Sequence, residues 1–437
     1  MKKNKFALLL LLLFSGAVCA QENKLTIENA VKNALEKNYD VLIYSNLSQI
    51  EDNNNTIGNA GMLPNIDVNG SYTNSTNDLK QEYNTGAEVN RDASGSSNTN
   101  LDAGLVWTVF DGMKMFHTKK KLDGLFYQSE QQLKIQMEIT IKDVVNAYYS
   151  IIINQQLLKA TQQEIKLLEE RLQLADRKLN NGSGSKLDQL QAKLEYNRQK
   201  SIELATISLI EESKLTLNRL MARALDSPVV TEDTIIISFR PSLEELKKML
   251  PENNNLRYYE MNQRLAELSL KENQSLRYPR INLGTHYIFN RSTNEAGFTL
   301  LNQSQGYNYG ATISFPIFHG FNINRQIKNA KLDVLNAKLQ LSSWNDIVNA
   351  DLLNTFRNFN NSLEIMQTEE DNILLAQEVL TIAQERYRIG ISNAIELQDA
   401  FRSFEESMTR LVNSRFDAKT NETELRRLSG RLISDFR

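Results

Sequence analysis

The sequence predicts an α+β membrane protein with an internal two-fold repeat, in which paired β-strands alternate with very long helical hairpins. Three observations predict this fold class. The first twenty residues have the pattern of an export signal, the chain contains two pairs of segments in which polar and apolar residues alternate, and each pair is followed by a long proline-free stretch with helical periodicity.

The export signal occupies residues 1–20. Three lysines precede an apolar run in residues 6–14, and small residues follow as far as Ala20, so we expect cleavage after Ala20. A lipid anchor on Cys19 is the alternative, although the positions before that cysteine lack the usual residues. If Cys19 is removed, the mature chain has no cysteine, and packing or oligomerisation must stabilise it without disulfides.

Charge and hydropathy exclude two classes of protein. The formal net charge is −3 and becomes −6 without the three signal lysines, which argues against a nucleic-acid partner, because such partners require basic patches. The mature chain has no apolar run long enough for a transmembrane helix. Insertion into a membrane would therefore require a closed β-barrel, in which every backbone polar group is paired.

The repeat divides the chain into residues 21–225 and 226–437. Four markers recur in the same order in both halves: helix starts at Thr26 and Ser242, strand starts at Leu63-Pro64 and Tyr278-Pro279, strand ends at Phe110-Asp111-Gly112 and Phe318-His319-Gly320, and helical turns at Gly182 and Gly390. The last two markers share one offset, so the segment between them has equal length in both halves.

Each half first presents two strands, at about residues 63–73 and 100–110 and at about 279–290 and 306–318. Their period-two alternation predicts one apolar and one polar face, as in a barrel with lipid outside and water inside. The polar segments 74–98 and 290–305 are expected to be exposed external loops. A half-buried soluble sheet would give the same alternation, but the strands occur only as two isolated pairs between very long helices.

Each half then presents a helical hairpin, at residues 114–223 and 321–430. The first arm has a coiled-coil-like apolar stripe and would be roughly 100 Å long at about 1.5 Å per residue. The return arms are shorter, and the equatorial helices at 41–61 and 256–277 have a suitable length to continue them.

Four strands cannot close a barrel by themselves, because bacterial membrane barrels need at least about eight. The barrel must therefore be shared between subunits, since an open sheet edge is not tolerated in lipid. Helices of this length exceed a compact domain and instead indicate a tube that stands off the membrane.

The chain resembles the TolC family of outer-membrane efflux proteins over essentially its whole mature length. The resemblance rests on Leu25-Thr26-Ile27-Glu28-Asn29-Ala30, Leu63-Pro64, Tyr278-Pro279, Phe315-Pro316-Ile317-Phe318-x-Gly320 and Tyr387-x-x-Gly390. It implies a homotrimer with a twelve-stranded barrel in the outer membrane of a Gram-negative bacterium, in contact with its lipid and continued by a periplasmic α-helical barrel. It also implies a passive export duct of a tripartite efflux or type I secretion system. The partners would be a periplasmic adaptor (membrane fusion) protein and an inner-membrane pump of RND or ABC type.

The same resemblance assigns roles to the two helical turns. The turns would form periplasmic tips that contact the adaptor through Gly182, Ser183, Gly184, Gly390, Ile391 and Ser392. The periplasmic gate would consist of Asp188, Tyr387, Glu396 and Asp399. Tyr387 would reach Asp188, and the two remaining acids would form a ring that repels anions and binds cations. Ser392 replaces an arginine that helps to lock the gate in some relatives.

Helix capping is a competing explanation for two of these acids. Ser185-x-x-Asp188 and Asn393-x-x-Glu396 both resemble capping boxes, and an acid in a first helical turn is stabilised by the helix dipole without any gating role. Capping does not explain Asp399.

No residue pattern supports catalysis, a metal site or a cofactor. The three histidines, His117, His286 and His319, are isolated in the sequence, and no serine or cysteine nucleophile has a partner at the required spacing. The alternative function is that of a non-conducting coiled-coil structural protein of the envelope. That alternative explains the helices but leaves the repeated strand pairs unexplained. The cargo, the pump and the resting state of the gate stay open.

Overall fold

The computed structural model describes residues 24–436, so the predicted signal peptide and Cys19 lie outside the described residues. The helices are α1 Ile27–Lys37, α2 Tyr39–Asn54, α3 Lys114–Asn180, α4 Lys186–Leu220, α5 Leu243–Met249, α6 Asn254–Ser275, α7 Asn322–Arg388, α8 Ala394–Leu428 and α9 Leu432–Asp435, with a 3₁₀ turn at Leu250–Glu252. The strands are β1 Asn65–Glu82, β2 Glu88–Phe110, β3 Arg280–Asn294 and β4 Leu301–Ser314.

The chain forms two compact units. The helical unit takes its described residues from Met1–Tyr44, Leu133–Asn254 and Asp346–Arg437, and the sheet unit consists of Ser45–Gln132 and Asn255–Asn345. Each unit therefore contains residues from both halves of the sequence. The division by contacts differs from the division by repeats at residue 225.

The sheet unit contains one antiparallel sheet in the order β1-β2-β3-β4. The two hairpins, one from each repeat, join through the pairing of β2 with β3. The register aligns side chains of one kind across all strands: Val68, Ala103, Tyr287 and Tyr307 lie in one row, and Asp67, Gly104, His286 and Asn308 in the next. The sheet consequently has one apolar face and one polar face.

The prediction of long external loops was wrong. Pairing between β1 and β2 continues to Glu82 and Glu88, and pairing between β3 and β4 continues to Thr293 and Leu301. Asn, Ser and Thr in these segments fill both faces of the ladder, so the apolar alternation stops while the backbone hydrogen bonds continue. At the other end, β4 finishes at Ser314, earlier than the alternation predicts.

The two hairpins of long helices have identical bounds, displaced by 208 residues. Lys114–Asn180 corresponds to Asn322–Arg388, and Lys186–Leu220 corresponds to Ala394–Leu428. A core in the helical unit packs α1 against α3 and α4 through residues that include Val31, Tyr148 and Leu217. Within residues 24–436, no helix combines the length and the apolar character of a membrane span.

Two asparagines join the return arms to the helices expected to continue them. Nδ2 of Asn38 donates to the carbonyl of Leu220, the last residue of α4, and its Oδ1 accepts from the amide of Asp40 at the start of α2. In the second repeat, Nδ2 of Asn253 donates to the carbonyl of Leu428, the last residue of α8. Each buried asparagine satisfies a carbonyl that the helix end leaves without an intrahelical partner.

Candidate functional site

The tip of the first hairpin connects α3 to α4 through a glycine turn. The amide of Gly182 donates to the carbonyl of Leu179, and the amide of Ser183 donates to that of Lys178, which ends α3 with a Schellman-type turn. Oγ of Ser183 also donates to the Lys178 carbonyl. The hydroxyl of Ser185 then accepts from the amide of Leu187 and begins α4.

The tip of the second hairpin repeats this arrangement. The amide of Gly390 donates to the carbonyl of Tyr387, and the amides of Ile391 and Ser392 both donate to that of Arg386. Asn393 caps α8, because its Oδ1 accepts from the amide of Glu396 at 2.9 Å. Both tips therefore pair several of their backbone amides within the turn itself.

Glycine is required at the tips for two different reasons. Gly182 and Gly390 have φ angles of +74° and +80°, in the left-handed region that other residues rarely adopt. Gly184 is required by space, because a Cβ there would lie 2.8 Å from the backbone nitrogen of Leu179 and 2.8 Å from Cβ of Lys178. The side chain at 184 is thus excluded by the end of the preceding helix.

The acids at the tips have different surroundings. Glu396 pairs with the guanidinium of Arg386 at 2.9 Å, and both side chains are partly exposed. Asp188 and Asp399 are exposed, and neither forms an ion pair with another residue in the described part of the chain. The two capping-box patterns are only partly formed. The hydroxyl of Ser185 accepts from the amide of Leu187 instead of that of Asp188, and the carboxylate of Glu396 binds the guanidinium of Arg386.

Tyr387 contacts the first hairpin through its ring. The ammonium of Lys178 lies 5.2 Å from the ring centroid, a cation–π distance. The ring also packs against a cluster that includes Leu397 and Phe401 of α8. In the described chain the ring of Tyr387 thus contacts the first hairpin through Lys178, and the link to Asp188 stays a prediction.

Above the tips, a layer of polar side chains joins the hairpins. Nε2 of Gln398 on α8 donates to the carboxylate of Glu195 on α4 at 2.6 Å. Arg198 binds Glu195 at 3.2 Å and approaches Glu405 of α8 at 3.8 Å. Glu164 of α3 lies in the same layer, and burial, followed by the nearby carboxylate of Glu405, raises its pKa to about 8.

Sequence reasoning missed Lys178, Arg386 and this layer. Their partners lie on other helices, in most cases about two hundred residues away, and no local motif marks such pairs. Arg386 could have been noticed, because it lies four residues before Gly390 and ten residues before Glu396. The hydroxyl of Ser392 is buried and has no hydrogen-bond partner within the described ranges.

Among residues 24–436, no three His, Cys, Asp or Glu side chains are placed to hold a metal ion. The surroundings of the tips combine exposed charged side chains with exposed apolar ones, among them Leu187, Ile391 and Ile395.

Comparison with known proteins gives consistent similarities. The outer membrane efflux protein family matches residues 31–223 and 246–431. The outer membrane protein TolC of Salmonella enteritidis is 22% identical over 387 residues, which covers 85% of this chain and 75% of that protein. The toluene efflux pump outer membrane protein TtgC of Pseudomonas putida is 22% identical over 325 residues, which covers 70% of this chain and 63% of that protein.

Two solved structures share the fold. The Campylobacter jejuni CmeC outer membrane channel has a TM-score of 0.81 at 14% identity and covers 93% of this chain and 86% of its own. The outer membrane protein VceC of Vibrio cholerae has a TM-score of 0.78 at 15% identity, and the match covers 92% of this chain and 96% of VceC.

Proposed function

Because the chain belongs to the outer membrane efflux protein family, we propose that it is one subunit of a passive export duct in the outer membrane, supplied by a periplasmic adaptor and an inner-membrane pump. Relatives of the chain are named as efflux pump outer membrane proteins, which agrees with this role. Three chains form the duct, and each contributes its four strands to one twelve-stranded barrel.

The observation that carries the proposal is the sheet. Its apolar face is uncovered: Val68, Tyr307 and Tyr309 are 76%, 81% and 85% exposed. An apolar surface of this extent requires lipid or another subunit. The outer edges of β1 and β4 are unpaired in the described sheet, so copies of the chain can join edge to edge until the barrel closes.

The helical hairpins extend the duct into the periplasm. Two hairpins of equal length per chain give six in a trimer, and their large exposed apolar side chains, such as Leu194, Leu335 and Leu374, would pack between neighbouring subunits. The tips at Gly182–Gly184 and Gly390–Ser392 are the proposed contacts of the adaptor. An RND or ABC pump would then supply the cargo, which the chain itself does not identify.

The proposed gate lies at the tips and contains Asp188, Tyr387, Glu396 and Asp399. Its closed state is held by the contact of Tyr387 with Lys178. Asp188 and Asp399 would supply the negative charge of the ring, whereas Arg386 partly neutralises Glu396. Cations would be attracted to the mouth and anions repelled.

Two substitutions of Tyr387 separate the possible links. Tyr387→Phe keeps the ring that Lys178 contacts but removes the hydroxyl that could reach Asp188. We expect Tyr387→Phe to conduct like the wild type and Tyr387→Ala to open more often. If Tyr387→Phe opens the duct as far as Tyr387→Ala does, the hydroxyl holds the gate and the ring contact does not.

The experiment that tests the function is reconstitution of the purified protein into planar lipid bilayers. A duct gives discrete ion-conducting steps, with larger or more frequent openings in Tyr387→Ala. A non-conducting coiled-coil protein of the envelope gives no steps in either protein, and that result would exclude the proposal. Co-purification with the native adaptor and pump then identifies the class of cargo.

A further inference from the structure

The polar face of the sheet contains one histidine in an unusual environment. His286 of β3 lies directly opposite Gly104 of β2 in the ladder, and the same row continues to Asp67 in β1 and Asn308 in β4. The two neighbouring rows on the same face, two residues along the strands in either direction, contain Gly284, Gly306 and Gly310. Of the eight nearest positions on the same face, four are therefore glycine, and the other four are Asp102, Val106, Ile288 and Asn308.

Gly104 is the residue that makes room for the imidazole. A Cβ at position 104 would lie 2.5 Å from Nδ1 and 2.6 Å from Cε1 of His286, distances that real Cβ atoms essentially never show. Gly284 leaves the other side open, because a Cβ there would lie 4.0 Å from Nε2. Any larger residue at position 104 must displace the ring.

Asp102 orients the ring from the neighbouring strand. Nδ1 of His286 lies 3.1 Å from Oδ1 and 3.4 Å from Oδ2 of Asp102, so Nδ1–H donates to this carboxylate. The bond fixes the tautomer of the neutral imidazole and leaves Nε2 free to take a second proton. The side chains of His286 and Asp102 are 38% and 26% exposed, which gives water and ions access to them.

Few other charges face the histidine. On β2 it faces Asp102, and on β1 the nearest charge in its row is Asp67. On β3, Arg280 lies three rows away and donates to Thr108 and Asn282, while β4 contributes only uncharged residues to these rows. With a neutral imidazole, this part of the face carries two carboxylates and one guanidinium.

We propose that His286, held by Asp102 over Gly104, is a pH-dependent charge filter on the inner surface of the barrel. The inference rests on the proposed function, which places the polar face of the sheet in the water-filled lumen. Protonation at Nε2 adds one positive charge per chain and so three per trimer. It cancels the local excess of negative charge and reduces the preference for cations.

The test is the ion selectivity of single ducts in planar bilayers at pH 8 and pH 5. A potassium chloride gradient at low ionic strength keeps the screening length at about 30 Å near 0.01 M salt, so that charges on the lumen wall reach the permeating ions. We expect the cation-to-anion permeability ratio of the wild type to fall about twofold or more at pH 5. In His286→Gln, which keeps the size and polarity but cannot gain a charge, the fall that histidine causes should be absent.

Two further variants sharpen the comparison. His319→Gln removes a different histidine, exposed beyond the end of β4, and should keep the full response. Gly104→Ala keeps His286 but displaces the ring from Asp102, and it should change the size or midpoint of the response. Glu138 and Glu164 are buried acids that also titrate in this range. They are unchanged in all these proteins, so their contribution to the change in selectivity is the same in each and cancels in the comparison.

The outcomes are distinguishable. A wild-type response that disappears in His286→Gln and persists in His319→Gln supports the filter. A conducting wild type whose selectivity does not respond to pH, or a His286→Gln variant that responds fully, overturns the filter and leaves the duct intact. A wild type that never conducts overturns the proposed function and the filter with it.

Discussion

Replacing Glu138 by Gln should make the protein more stable at neutral and alkaline pH. Glu138 lies on α3 in the helical unit and is only 1% exposed. Its Oε1 accepts from Nδ2 of Asn254 at 2.7 Å, whereas its Oε2 has no hydrogen-bond partner among the described residues. Burial raises its pKa to about 7, and the nearby guanidinium of Arg427 compensates only in part. Gln keeps the bond from Asn254 and carries no charge.

The magnitude follows from the pKa in the folded and unfolded chains. The folded carboxyl holds its proton up to about pH 7, whereas the unfolded carboxyl loses it near pH 4.5. Between these values the folded state binds more protons, so the stability of the wild type falls as the pH rises. At about 1.4 kcal/mol per pH unit, the loss is about 3 kcal/mol per chain and is complete above pH 7. Glu138→Gln has no carboxyl at this position, so its free energy of unfolding does not show this loss.

The assay is thermal or denaturant unfolding of the detergent-solubilised protein, followed by circular dichroism at pH 4.5, 6 and 8. The advantage of Glu138→Gln over the wild type should be smallest at pH 4.5 and largest at pH 8. Glu212→Gln removes an exposed carboxylate from α4 and serves as the control that should show no such trend. An advantage that is equal at all three pH values, or absent at pH 8, would refute the reasoning.

Three further predictions concern the tips. Changing Glu396 and Asp399 together to Ala should weaken cation block and lower cation selectivity in planar bilayers, and unchanged selectivity would leave these acids as structural residues only. Cysteines that replace Lys178 and Tyr387 in the mature chain should be joined within one chain by a short bifunctional thiol reagent, and a lack of linkage would contradict the contact seen between these residues. Gly184→Ala should disturb the turn, because its Cβ meets backbone atoms at 2.8 Å, and should raise proteolytic cleavage at that tip about several-fold; wild-type resistance would show that the turn adapts.

The sequence was sufficient to predict most of the architecture. Thr26 and Ser242 cap α1 and α5 as their residue types indicate, and Ser242 forms a full capping box with Glu245. The repeat was visible because Gly182 and Gly390 must adopt positive φ at equivalent turns. Helical periodicity and period-two alternation are local properties, so they can be read without knowledge of tertiary contacts.

The remaining features depend on contacts between distant segments. The pairing of β2 with β3 and the partner of Tyr387 join residues about two hundred positions apart, and local patterns do not encode such pairs. The contact of Tyr387 with Lys178 joins two different hairpins, so alignment on the glycine could not indicate it, and the link to Asp188 stays a prediction. The extent of the strands was underestimated because backbone pairing continues through polar residues without an apolar face.

The most direct measurement of the central claim is disulfide cross-linking of the two outer edges of the sheet. Asn69→Cys in β1 is combined in turn with single cysteines along the polar face of β4, and the oxidised membranes are examined on denaturing gels. A barrel shared by three chains predicts covalent dimers and trimers, with the trimer as the largest product, because the ring closes at the third chain. Products that extend beyond three chains, or the absence of any linked species at every pair tested, would contradict the shared twelve-stranded barrel.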